Sequence, residues 1–166
     1  MSSNTGRLRV GLALGGGVAR GLAHIGVIAV LEEAGVPIDC VAGTSMGAII
    51  GASYCAGLTV DELKANAARA GWWDISRPLP TANGLITFNR LERWLEDTIG
   101  EYDVRDLAIP FAAVASDLVS GERVVLSRGR LCTAVRASSS VPGFAHPVEL
   151  DGRMLVDGGI TDNVPA

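Results

Sequence analysis

Ser45 stands in Gly43-Thr44-Ser45-Met46-Gly47, between an apolar run and a run of small residues. Gly-x-Ser-x-Gly at a strand-to-helix junction is the pattern of a nucleophile elbow. A sharp turn holds the hydroxyl exposed, and small flanks are needed because the turn is crowded. The following helix also aims its dipole at the serine and favours an alkoxide there. The plain alternative is a serine N-cap in a glycine-rich turn. A nucleophilic serine needs a base, and three residues could supply one. His24 falls inside an apolar helix pattern, where a satisfied core or interface histidine is the simpler reading. His146 precedes Pro147 in a loop and would serve a Ser–His–Asp esterase. Asp157, in Asp157-Gly158-Gly159, ends a second apolar strand, and a carboxylate there can take the serine proton directly. Its alternative is a turn aspartate that caps Gly158 and Gly159.

A third block, Gly15-Gly16-Gly17-Val18-Ala19-Arg20-Gly21, joins another apolar run to the first helix. Its glycines permit a path that aims free N–H groups at one point, beside a helix N-terminus that favours negative charge. Two nucleotide-binding patterns fail at a needed residue. A dinucleotide loop counted from Gly15 puts Arg20 at its last glycine, and counted from Gly16 it puts Val18 at its middle one. A phosphate loop fits at Gly16 and Gly21, but Leu22-Ala23 stand where Lys-Ser/Thr is required. A tight turn that lets the helix pack on a sheet is the plain reading of this block.

These three blocks must be held by regular elements. Val10–Leu14 and Ile38–Ala42 are short and apolar on both faces, as buried strands are. Leu22–Ala34 predicts a helix closed by Gly35 and Pro37, and Met46–Ala56 a helix closed by Gly57. Thr59-x-x-Glu62 is a capping box that opens a third helix to about Ala70. Residues 71–87, with Trp72-Trp73, Pro78, Pro80 and Gly84, read as a long loop. Phe88, Leu91, Trp94, Leu95 and Ile99 then share one helical face. Strands follow at Phe111–Ala115 and Arg123–Leu126, a short helix at Leu131–Ala137, and a hairpin turning at Asp151-Gly152. Strand and helix alternate at the start of the chain, which predicts an α/β layer fold with a largely parallel sheet.

Composition narrows the function. The chain has 166 residues, 48% apolar and 19% charged, enough for one buried core and too apolar for disorder. Its 14 Lys+Arg against 18 Asp+Glu form no basic stripe, so no nucleic-acid partner is expected. Cys40, Cys55 and Cys132 show no C-x-x-C spacing, and there are 2 His, so neither a disulfide framework nor a zinc site is implied. A cytoplasmic chain is the expectation. The polar start of the chain lacks a secretory core, and residues 1–7 read as a flexible tail. Cys40 to Val60 is uncharged over a bilayer-spanning length, but its glycines and hydroxyl residues and its acidic flanks favour a strand and helix over a span.

Taken together, the three blocks resemble the patatin-like phospholipase family of serine lipid acyl hydrolases. Ser116-Asp117-Leu118-Val119-Ser120-Gly121-Glu122 and Ala137-Ser138-Ser139-Ser140-Val141-Pro142-Gly143-Phe144 look like blocks of its bacterial members. The resemblance covers residues 8–166 and implies a three-layer α/β sandwich, with a largely parallel central sheet and helices on both faces. It implies Ser45 as nucleophile, Asp157 as its partner in a Ser–Asp dyad, and the Gly15, Gly16 and Gly17 amides as the oxyanion hole. Gly21, Gly43, Gly47, Gly158 and Gly159 match the motif glycines, and Arg20 the basic position beside the hole. Val18 stands where the family often has glycine. Family domains usually continue beyond the Asp-Gly-Gly block, so the domain is expected to lack its C-terminal part at Ala166. The implied activity is ester hydrolysis through a covalent acyl-enzyme, with no cofactor or metal. A non-catalytic lipid-binding module of the same fold is the alternative. The implied partner is a lipid or ester substrate, with peripheral contact on the inner membrane face. Trp72 and Trp73 are expected to serve substrate access, since tryptophan suits a boundary between apolar and wet surroundings.

Overall fold

The computed structural model describes residues 7–81 and 84–166, and only the backbone of Trp72 and Trp73. Eight strands and six helices are numbered in chain order. The strands are β1 (Gly11–Leu14), β2 (Cys40–Thr44), β3 (Arg77–Thr81), β4 (Gly84–Thr87), β5 (Phe111–Asp117), β6 (Arg123–Leu126), β7 (Val148–Leu150) and β8 (Arg153–Asp157). The helices are α1 (Ala23–Glu33), α2 (Met46–Cys55), α3 (Val60–Arg69), α4 (Trp72–Ile75), α5 (Asn89–Ile99) and α6 (Leu131–Ser138).

The apolar runs form the sheet. β1, β2 and β5 lie parallel, with Leu12 opposite Val41 and Val41 opposite Phe111. This parallel set carries the Gly15 and Gly43 blocks at its strand ends. β6, β7 and β8 extend the sheet in antiparallel pairs. Register settles where they sit. Ala113 and Val114 pair with β2 on one side and β6 on the other. Ala115 and Ser116 pair with β6 and with β8. β8 therefore continues the edge of β5 that β2 leaves free after Thr44, and the C-terminal ends of β2 and β8 meet.

Small residues let α2 lie close on this sheet. A Cβ on Gly51 would come within 3.0 Å of Val41 and 3.1 Å of Phe111. The helices that pack directly on the sheet, α2 and α6, also touch each other. Leu14, Ile28, Leu91, Leu95, Leu131 and Leu155 are fully buried between these layers. Each such side chain contributes about 1.5–3 kcal/mol. Pro165 and Ala166 border a groove shared with Cys40, Ala42 and Ala112.

Local signals act as their chemistry requires. Thr59 accepts from the Glu62 N–H while Glu62 accepts from the Thr59 N–H, the reciprocal cap of α3. Asp151 and Gly152 both take positive φ in the β7–β8 hairpin, as a two-residue turn demands. One expectation needs correction. Residues 71–87 are not a structureless loop, because they hold α4 and the antiparallel pair β3–β4. β3 is exposed throughout and pairs only with β4, so Pro78 and Pro80 lie on an edge strand, where a missing N–H is tolerated. At the end of the expected 1–7 tail, the Arg7 guanidinium pairs with Asp39. Residues 1–6 lie outside the described residues. The uncharged stretch from Cys40 is a strand followed by a ten-residue helix, and no helix among the described residues is long and apolar enough to cross a membrane.

The junction of β8 with β5 leaves no room at Gly158, where a Cβ would fall on the Val114 carbonyl oxygen. Gly158→Ala should lower the melting temperature by about 2–12 °C, the effect of about 1–3 kcal/mol of overpacking in a chain of this size. Thermal unfolding followed by circular dichroism checks this.

Candidate active site

Thr44, Ser45 and Asp157 sit where the two strand ends meet. Ser45 has φ 55° and ψ −121°, a conformation L-residues rarely adopt, at the first turn of α2. Strain of this kind costs about 1–3 kcal/mol and persists only where the surroundings over-determine it. Those surroundings are crowded. A Cβ on Gly43 would press on Ala48, and one on Gly47 would fall on the Leu14 carbonyl. Both motif glycines are therefore demanded by close backbone approach. The Ser45 side chain makes no capping hydrogen bond to α2, so the N-cap alternative does not describe it.

The Ser45 hydroxyl lies close enough to the Asp157 carboxylate to favour its ionised form. Asp157 is 7% exposed and also accepts the Gly159 N–H at 2.7 Å. The carboxylate thus both caps the turn and faces the serine. Burial raises its pKa above the ordinary carboxylate value, and the bonds from Gly159 and Ser45 oppose that rise. A buried carboxyl with a raised pKa is a better proton acceptor once ionised.

The glycine loop lies against the same serine. A Cβ on Gly16 would approach the Ser45 Cβ to 3.3 Å. His24 donates from Nε2 to the Gly15 carbonyl at 2.8 Å, so this histidine holds the loop rather than touching Ser45. The Gly16 N–H donates to the Asn163 carbonyl at 3.0 Å. Of the three expected oxyanion glycines, Gly16 thus has its amide engaged by the Asn163 carbonyl. Gly17 and the first residues of the 3₁₀ turn Val18–Leu22 follow, and the leading amides of a helical turn have no acceptor within it. Val18 takes φ 49°, the region glycine favours. Arg20 is exposed at the surface of this turn. Gly21 is buried, and a Cβ there would strike Met46 at 2.5 Å.

His146 is not at the site. Its Nε2 donates to the Leu79 carbonyl at 2.8 Å and lies 3.3 Å from the Thr81 hydroxyl, which ties it to β3. The side chains of Trp72 and Trp73 lie outside the described residues. Two groups that sequence reasoning passed over do reach the site. Ser138 accepts the Ser45 N–H at 2.9 Å. The segment after Asp157 binds three elements: Asn163 to Gly16, the Asp162 carbonyl to the Thr44 hydroxyl, and Thr161 to Ser116. Ser138 lies in a run of serines that burial alone would mark as unusual, whereas a main-chain acceptor such as Asn163 leaves no sequence signal. Asp117 of the Ser116–Glu122 block caps the turn at Val119, a structural role.

Among α/β folds, a strained serine between a parallel strand and a helix is the geometry of a nucleophile elbow. Comparison with known proteins is specific about which kind: residues 12–166 match the family described as patatin-like phospholipase, and the chain belongs to that family. An uncharacterized NTE family protein of Mycobacterium tuberculosis is 44% identical over 160 residues, covering 95% of this chain and 44% of that protein. Neuropathy target esterase sws of Drosophila melanogaster is 34% identical over 168 residues, covering 95% of this chain and 12% of that protein. The chain therefore spans less than half the length of these relatives. Among solved structures, VipD from Legionella pneumophila shares the fold, with a TM-score of 0.66 at 15% identity over 94% of this chain and 46% of that one.

The raised pKa of Asp157 has a consequence for stability. Its contribution is greatest at acid pH, where the carboxyl is neutral, and is lost as pH rises through the folded-state pKa. Asp157→Asn should therefore melt higher than the parent at pH 8, by about 2–4 °C for each kcal/mol of relief. The difference should shrink toward pH 4. Melting curves across that range check the sign.

Proposed function

We propose that this chain is a serine lipid acyl hydrolase of the phospholipase A or esterase type, acting through Ser45 and Asp157. The observation that carries the reading is a buried Asp157 carboxylate beside a strained elbow serine, at the point where the ends of β2 and β8 meet, with both histidines engaged elsewhere. Ser45 Oγ attacks the ester carbonyl as Asp157 takes its proton. The oxyanion is met by the Gly17 and Val18 amides, while Gly16 is held on Asn163 as the loop's anchor. A single donor in such a hole is worth about 10²–10³ in rate. The tetrahedral species collapses, and the leaving alcohol takes the proton back from Asp157. Water then attacks the acyl-enzyme with Asp157 again as base, releasing the acid and restoring Ser45.

An apolar acyl chain has a place beside this centre. A cavity of about 230 Å³ runs between the 3₁₀ turn, α2, α3 and α5, lined by Val18, Leu22, Met46, Ile49, Ala67 and Trp94. Val18 and Met46 adjoin the proposed hole and the nucleophile, so the cavity opens where an acyl group would be bound. Gly71 and Ile75, which bracket Trp72 and Trp73, also line it, and this supports those tryptophans in substrate access. The exposed Arg20 is suited to the phosphate of a phospholipid. A separate depression is lined by the exposed Leu85 and Leu118, and Val141 and Phe144, flanking its Pro142 and Gly143 in sequence, are also exposed. These support peripheral contact with a lipid surface.

Ser45→Ala and Asp157→Asn should each lower p-nitrophenyl butyrate hydrolysis by at least about 10². His146→Ala should keep most of the activity. Initial rates on folded, full-length protein check this, and an inactive His146→Ala with an active Asp157→Asn would reverse the assignment of the base. Filling the cavity is a separate test of the acyl site. Ala67→Phe should leave butyrate turnover within about twofold and cut laurate ester turnover by about tenfold or more, the scale of a few lost methylene contacts. Turnover of an ester series by chain length reads the outcome.

A further inference from the structure

The N–H of Ser45 belongs to neither β2, which ends at Thr44, nor the α2 hydrogen-bond ladder. An amide in so crowded a position needs an acceptor. It finds the Ser138 hydroxyl, at 2.9 Å, on the last residue of α6. Ser138 is fully buried, and its own proton is committed, since Oγ donates to the Val114 carbonyl at 2.6 Å. With the hydroxyl proton held on Val114, a lone pair must face the Ser45 N–H. Val114 is the β5 residue at which the β2 pairing ends. The same helix end touches the other half of the site, because the Ser140 carbonyl accepts the Asp157 N–H at 2.8 Å. One turn at the end of α6 thus contacts the backbone of both Ser45 and Asp157.

We infer that Ser138 is a positioning residue: its hydroxyl, oriented by Val114, holds the strained Ser45 backbone so that Oγ stays aimed at Asp157. This rests on the reading of Ser45 and Asp157 proposed above. Strain at φ 55° relaxes when the groups that over-determine it are removed. Loss of the Ser138 acceptor frees the Ser45 amide to rotate, and Oγ leaves its line to the base and the oxyanion donors. The substrate cavity does not include Ser138 and is left intact.

The test compares Ser138→Ala with Ser139→Ala in the full-length protein. Ser139 is a buried neighbour whose hydroxyl, among the described residues, bonds only to Val135 of its own helix. The readouts are labelling rate with a fluorophosphonate, kcat and KM for p-nitrophenyl butyrate, and melting temperature. Ser138→Ala should slow labelling and kcat by about 10–100-fold, the cost of misplacing a reacting atom by about 1 Å, with KM within about twofold. Ser139→Ala should label at close to the parent rate. Parent-like labelling by folded Ser138→Ala, or an equal loss in Ser139→Ala, overturns the inference. If Ser138→Ala does not fold, Ser138→Cys keeps the shape with a weakly accepting sulfur and is read by the same criteria. Failure of the underlying reading is distinct: the parent protein would then not label, or Ser45→Ala would label as well as the parent.

Discussion

One edge of β5 accepts two strands end to end, and the site exists because they arrive from opposite directions. β2 runs parallel to β5 and stops at Val114, while β8 runs antiparallel and ends its pairing at Ala115. Each strand presents its C-terminal end at the same point. A serine immediately after one and a carboxylate at the end of the other are then neighbours without any long side chain having to reach. The other edge of β5 is occupied by β6 across the junction, which keeps β5 continuous where its partners change. The crowding around Gly43, Gly47 and Gly158 follows from bringing two chain reversals to one place.

The energetic costs gather at that point. Ser45 and Val18 carry positive φ, and Asp157 is buried with a carboxylate that burial disfavours. None of these helps the fold. They are tolerated because the layers around them are well filled and because each polar group at the junction has a partner, through Ser138, Ser140, Gly159, Asp162 and Asn163. The buried polar residues of the chain are concentrated here. Thr44, Ser116, Asp117, Ser138, Ser140 and Asp157 all lie on the strands or the helix end that form this junction.

Features with local causes were legible in the sequence. The apolar runs of β1 and β2, the capping box of α3, the single apolar face of α5 and the Asp151-Gly152 turn are each decided by neighbours a few residues apart. The blocks at Gly15, Ser45 and Asp157 were legible as strand-end turns, and their kinship with one family as a joint pattern. Other features were not. Pro78 and Pro80 read as loop because propensity does not distinguish a loop from an edge strand that needs no donor. That Gly16 would lend its amide to Asn163 depends on a main-chain carbonyl nearly the whole chain away. The position of β8 beside β2 is likewise a matter of register on β5, for which neither strand carries a local mark.

The bond from Thr44 to the Asp162 carbonyl joins residues separated by 118 positions. A ribosome therefore delivers the Ser45 elbow long before it delivers the segment that completes the junction. On the proposed reading, a growing chain displays the nucleophile with neither its base nor the anchor of its glycine loop. Long-range closure of this sort is slow, because loop entropy must be overcome before the contacts form. On the proposed reading, that delay withholds the base and the loop anchor from the Ser45 elbow until the segment after β8 has closed onto β2 and β5.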